Sequence, residues 1–161
     1  MKDPSGSAPP DVADFVCRET WLLDRHRYDD WENLWDDDGA YWVPLAGIDE
    51  DPDYKMSIIY DNRGRIRRRV AQLGTGHRHA QIPRSRLART IGGLQRFESA
   101  DGLVNVGGAF VLVEQRSVRQ TTWAGHYYYS LRPAGDSYLI SRKIVDLVQK
   151  AEDLETLGFI L

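Results

Sequence analysis

Glu19, His26 and His126 are the residues best suited to acid/base chemistry in this sequence. Glu19 and His26 fall on or beside an apolar stripe at helical spacing (Val12, Phe15, Val16, Leu22, Leu23), and His126 sits in a β-type run. A carboxylate buried among aromatic rings holds its proton more tightly and can act as acid or base near neutral pH. The competing account is plainer: buried polar groups are generally hydrogen-bonded inside the fold and do no chemistry. No nucleophile–base pair is legible, because the single cysteine, Cys17, has no evident histidine partner in the sequence.

Metal ligation finds little support. His77 and His79 are two apart and would share one face of a strand, but they lie in a Gly-flanked loop, where surface or interface roles are expected. The run Asp36-Asp37-Asp38-Gly39 fails as a calcium loop. With Gly39 as the sixth position, the first and twelfth are Leu34 and Leu45, which cannot ligate. The run is expected to end a helix. Arg63, Arg65, Arg67, Arg68 and Arg69 form a basic cluster, yet Ile66 and Val70 commit one face of it to the core and no stacking platform accompanies it. The formal net charge of -3 gives no reason to expect nucleic acid or a membrane as partner. Part of this patch is expected at a subunit contact, where planar guanidiniums pair well with carboxylates.

The 161 residues fit one domain, spanning 11–161 behind a Pro/Gly/Ser-rich leader at 1–10 that reads as flexible. Asp11 is placed to cap a first helix. A short second helix is expected from the capping-box spacing of Asp29 and Glu32, with Trp31, Leu34 and Trp35 on its buried face. Tyr41–Val43 reads as a strand stopped by Pro44. After an acidic loop and a short β run at Ser57–Tyr60, Asp61 or Asn62 caps a third helix carrying Ile66, Val70 and Leu73. Four β-type runs follow, Leu87–Phe97, Leu103–Arg116, Thr121–Leu131 and Ser137–Val148, with turn chemistry at 99–102 and 133–136. In the third run Tyr127, Tyr129 and Leu131 alternate with His126, Tyr128 and Ser130. Gly92-Gly93 and Gly107-Gly108 mark bulges or bends.

Helices followed by an antiparallel meander imply an α+β fold, a strongly curved antiparallel sheet packed on N-terminal helices to make a cone. The tail at 149–161 ends in Leu157-Gly158-Phe159-Ile160-Leu161, too apolar for water, and is expected to dock on the domain or on a partner. One cysteine forbids an intrachain disulfide, and no apolar run nears the ~20 residues that span a bilayer, so a cytoplasmic protein is expected.

Ser57-Ile58-Ile59-Tyr60-Asp61-Asn62-Arg63, followed by Arg69-Val70-Ala71-Gln72-Leu73, resembles the central motif of the β (small) subunits of bacterial aromatic-ring-hydroxylating dioxygenases. Glu19…Leu22-Leu23-Asp24 running into Asp30-Trp31 and Leu34-Trp35, Pro83-Arg84-Ser85-Arg86, and the closing Gly158-Phe159-Ile160-Leu161 fit the same pattern. The His77-Arg78-His79 loop and Gly92-Gly93 depart from it. The resemblance implies a cystatin-like cone of the nuclear-transport-factor-2-like (NTF2-like) superfamily. It implies a structural, non-catalytic chain in aromatic-compound catabolism that trimerises and scaffolds three α subunits as an α3β3 hexamer. The α subunit would carry the Rieske [2Fe–2S] cluster and Fe(II), with NADH as ultimate electron donor. This chain would hold no cofactor, since a Rieske cluster needs two cysteines and two histidines. Candidate subunit-interface residues are Arg63, Arg67, His77, His79, Arg84, Arg86 and Phe159. The alternative is a stand-alone cone-fold dehydratase or isomerase using Glu19, His26 and His126.

Overall fold

The computed structural model describes residues 3–49, 51–74, 84–99, 101–148 and 158–161. A two-residue strand, β1 (Gly6–Ser7), lies within the stretch read as a leader. The first helix, α1 (Pro10–Asp24), begins two residues earlier than a cap at Asp11 would give. Proline opens it, where an N–H would have no partner anyway, and Asp11 does not cap it: its carboxylate accepts the Tyr138 hydroxyl at 2.6 Å. Val12, Phe15, Val16, Glu19, Leu22 and Leu23 share the buried face.

The second helix is shorter than expected. α2 (Tyr28–Glu32) ends before Leu34, and Trp35 already belongs to strand β2 (Trp35–Pro44). The acidic run at 36–39 therefore lies in a strand rather than ending a helix. Contacts distant in sequence hold it there: pairing with the last strand of the chain is interrupted between Trp35 and Ala40, and the Asp36 carboxylate is held by Arg132 and Ser141. Gly39 permits the detour, since a Cβ would meet the Trp35 ring at 2.7 Å and the Asp36 carbonyl at 2.9 Å. Strand β3 (Ser57–Asn62) runs directly into helix α3 (Arg63–Gly74). Asn62, rather than Asp61, caps it by accepting the Arg65 N–H at 3.0 Å, while Asp61 pairs with Arg69 at 2.6 Å.

Strands β4 (Arg86–Phe97), β5 (Val104–Arg116), β6 (Arg119–Ala134) and β7 (Ser137–Leu147) form the expected meander. The seven strands make one curved, unclosed sheet in the order β1-β4-β5-β6-β7-β2-β3. Gly6 and Ser7 pair with Arg96 and Gln95, which ties part of the N-terminal stretch to the sheet edge. One expectation is corrected: the sheet is mixed, because β2 pairs with β7 in parallel. Four alternating strands bring β7 back beside β2 running the same way, and strand-by-strand alternation in a sequence carries no information about such distant neighbours.

The two glycine pairs play different parts. The register slips between Gly92 and Gln95, where Gly93 takes φ +63°, so this pair is a bulge. Gly107 and Gly108 stay in register with β6. They give clearance instead, since a Cβ at Gly107 would meet the Tyr128 ring at 2.5 Å and one at Gly108 the Gly92 carbonyl at 2.8 Å. The helices pack on the sheet through β2, β4 and β7, and the core there includes Trp31, Tyr41, Ile66, Phe110, Tyr127, Leu131 and Val145. Each large apolar side chain buried in this way contributes roughly 1.5–3 kcal/mol.

Candidate functional site

Glu19 lies at the centre of the cone with no exposed surface. Its position on the apolar stripe of α1 forces it inward, and the interior answers with donors. Trp31 Nε1 and Lys143 Nζ donate to Oε1 at 2.6 and 2.8 Å, and Tyr129 Oη donates to Oε2 at 3.1 Å. Lys143 is equally buried and also donates to the Leu161 carbonyl at 3.2 Å, with its ammonium 4.5 Å from the Tyr127 ring centre. Burial pushes the Lys143 ammonium down to about 8, opposed by the Glu19 carboxylate. Burial also raises the phenols of Tyr41, Tyr127 and Tyr129 above their ordinary value.

The remaining space is filled by the chain itself. Phe159, Ile160 and Leu161 are buried, with the Phe159 ring edge-on to Trp123 at 6.0 Å. Tyr41 Oη donates to the Leu161 carbonyl, and Arg89 to that of Ile160, each at 3.2 Å. Arg89 is anchored by Asp24, which accepts its Nε at 2.6 Å and its backbone N–H at 2.9 Å. Phe159 is thus a core residue of its own chain, correcting the expectation that it faces a partner. Arg89 and Lys143 carry no signal in the sequence that marks them, and Asp24 and Tyr129 are legible there only as part of a motif and of a strand alternation, not as partners in this network.

The three acid/base candidates do not converge. His26 follows α1 with φ +55°; its Nδ1 accepts the Tyr28 hydroxyl at 2.7 Å, and its Nε2–H donates to the Ser85 carbonyl at 2.8 Å. Both ring nitrogens are committed, Nδ1 to Tyr28 and Nε2 to holding the 84–86 segment against the helix end. His126 is exposed and lies on the opposite face of the sheet from Tyr127 and Tyr129. Glu19 has no exposed surface and lines none of the clefts formed around Tyr28, Tyr128, Gly102 and Asp24.

Of the interface candidates, Arg63 is largely spent inside the chain, on the Glu32 carboxylate at 2.8 Å and the Glu32 carbonyl at 3.2 Å. Arg67 reaches the same carboxylate at 3.2 Å with its side chain 69% exposed. Arg84 and Arg86 are exposed. His77 and His79 lie outside the described residues.

An iron or iron–sulfur group does not fit these residues. Cys17 is exposed on α1, His26 is committed and His126 stands on the far face. Among the described residues no three His, Cys, Asp or Glu groups converge. No described helix is long and apolar enough to cross a membrane.

Fold and site together define a cone-shaped α+β protein whose interior is closed by its own side chains. A solved NTF2-like protein with a cystatin-like fold from Novosphingobium aromaticivorans shares that fold, with TM-score 0.58 and 16% identity over 86% of this chain and 80% of that chain. The chain belongs to the ring-hydroxylating beta subunit family, whose profile matches residues 18–152. It is similar to the toluate 1,2-dioxygenase subunit beta of Pseudomonas putida, 28% identical over 141 residues covering 84% of this chain and 87% of that protein. It also resembles the solved β subunit of benzoate 1,2-dioxygenase from Burkholderia mallei, with TM-score 0.76 and 25% identity, covering 99% of this chain and 100% of that one. The chain is thus a small subunit within an oxidoreductase system, and the stand-alone acid/base enzyme is not favoured.

Proposed function

We propose that this chain trimerises and scaffolds the large subunits of an aromatic-ring-hydroxylating dioxygenase as an α3β3 hexamer in the cytoplasm. The single observation that carries the non-catalytic role is the occupancy of Glu19. Both its oxygens are taken by Trp31, Tyr129 and Lys143, and the space beside it is filled by residues 159–161. A proton-transfer group needs an open position for the reacting atom; Glu19 has none. The Rieske cluster and Fe(II) belong to the large subunit, fed ultimately by NADH, and this chain contributes geometry. Subunit contacts fall to exposed arginines, Arg67, Arg84 and Arg86 among them.

Co-expression with the large subunit of its oxygenase tests this. A complex containing both chains in equal number, with the visible spectrum of a Rieske cluster, is expected. A colourless chain that forms no such complex and dehydrates or isomerises a cyclic substrate in a Glu19-dependent way would overturn it.

A further inference from the structure

We infer that the cleft between the end of α1 and the start of β4 is the docking site for a carboxylate-rich segment of the large oxygenase subunit. The inference rests on the scaffold reading above and names the surface it uses. Arg25, Arg84 and Arg86 line a cleft of about 550 Å³, and Arg116 lines a smaller recess that shares His26, Arg84 and Ser85 with it. The two openings are one continuous basic surface.

No ion pair engages these four guanidiniums among the described residues. Among the described residues, the nearby carboxylates Asp24 and Glu114 are already committed. Asp24 holds the buried Arg89, and Glu114 accepts Ser85 Oγ at 2.5 Å and Trp123 Nε1 at 3.1 Å. Among its described residues, a chain of formal net charge -3 therefore concentrates positive charge without an ion-pair partner at one place. Like charges held together repel, and an incoming set of carboxylates relieves that repulsion.

Two further features make the surface a docking site. His26, locked by Tyr28 and Ser85, fixes the segment that carries Arg84 and Arg86 against the helix, so the arginines are presented on a rigid frame. Beside it Trp21 is 48% exposed, with Arg25 and Arg27 at 5.3 and 5.9 Å from its ring centre. An aromatic flanked by arginine is the composition that anchors protein interfaces. Carboxylates suit the site because guanidinium forks bind them in bidentate fashion. Nucleic acid suits it poorly, since the one exposed ring already has cations against it.

The test uses the full chain co-expressed with its large subunit, compared with Arg84→Glu/Arg86→Glu and the milder Arg84→Gln/Arg86→Gln. Lys55→Glu, an exposed charge reversal on the loop between β2 and β3, is the control. Capture of the large subunit by wild type is expected to weaken as salt rises. The double reversal is expected to weaken capture about ten- to a hundredfold and to flatten the salt dependence, the neutral pair to fall between, and Lys55→Glu to match wild type. Wild type that captures the large subunit while both Arg84/Arg86 variants capture it equally would sink the cleft and leave the scaffold reading standing. Wild type that captures nothing at any salt removes the scaffold reading itself. Loss of self-association of this chain alone in the reversed variant would make a second copy the occupant, and tighter binding of duplex DNA than of the large subunit would make it a nucleic-acid surface; either overturns the inference.

Discussion

Lys143 donates to Glu19 across 2.8 Å with both side chains completely buried, so the centre of the cone is an ion pair rather than a cavity. Removing either partner leaves an uncompensated charge in an apolar interior, which typically costs about 3–5 kcal/mol. Glu19→Gln and Lys143→Met should each destabilise by that order, whereas Glu19→Gln/Lys143→Met should lose far less than their sum. Urea unfolding in a double-mutant cycle reads this directly. Additive losses would mean the pair is not coupled.

Alkaline pH should expose the buried phenols. Tyr28 is pushed up to about 12, chiefly by burial, and Tyr41, Tyr127 and Tyr129 are raised for the same reason. Unfolded phenols release their protons near 10.0 while the folded ones keep theirs, so the folded state binds more protons. Stability fully present below that value is then lost as pH rises through the folded values. Lys143 acts in the opposite sense between about 8 and 10.5, where the folded state binds fewer protons and its contribution grows with pH. The urea midpoint should hold steady or rise toward pH 10 and then fall steeply, with the ionisation of the buried tyrosines appearing together with unfolding. Full tyrosinate formation near pH 10 in a protein that remains folded would contradict this.

Gly125 should be among the least replaceable glycines. A Cβ there would run into the Asp146 backbone carbonyl, which the β6–β7 pairing prevents from moving aside. Gly125→Ala should lower stability by about 1–3 kcal/mol. Gly135→Asn makes the contrast: its φ of +61° suits asparagine and nothing lies within 4 Å of an added Cβ, so a change within about 1 kcal/mol is expected. Thermal midpoints of the two variants decide the ranking.

His26 should behave as a structural residue. His26→Ala removes the bonds to Tyr28 and Ser85 and should cost about 1–3 kcal/mol, while His26→Asn, which tolerates the left-handed backbone, should cost less. Equal thermal midpoints for wild type and His26→Ala would show that the two bonds carry no stability.

The local chemistry of the chain was legible where its period was unbroken. The stripe from Val12 to Leu23 placed Glu19 inside, and the alternation from His126 to Leu131 put Tyr127 and Tyr129 on the opposite face from His126, although only the fold decides which face is inner. Trp35 was misplaced because short apolar spacing of three and four fits a helix as well as the end of one helix and the start of a strand. The four long strands, their turns and the family resemblance follow from residue types at short range, where steric and hydrogen-bonding preferences act within a few neighbours.

Tertiary structure decided which side chains meet. In β7 the register slips opposite Ser130 and Leu131, leaving Ser141 as the extra residue. Simple alternation from Ile140 would send Arg142 and Ile144 inward; the bulge reverses the phase, so Lys143 and Val145 point inward instead. The parallel pairing of β2 with β7 and the seating of Phe159–Leu161 in the cone are of the same kind. Each depends on contacts between segments far apart in the chain, whose free energy is collected only when the whole sheet closes around the core. A one-residue slip decides whether a lysine meets water or Glu19.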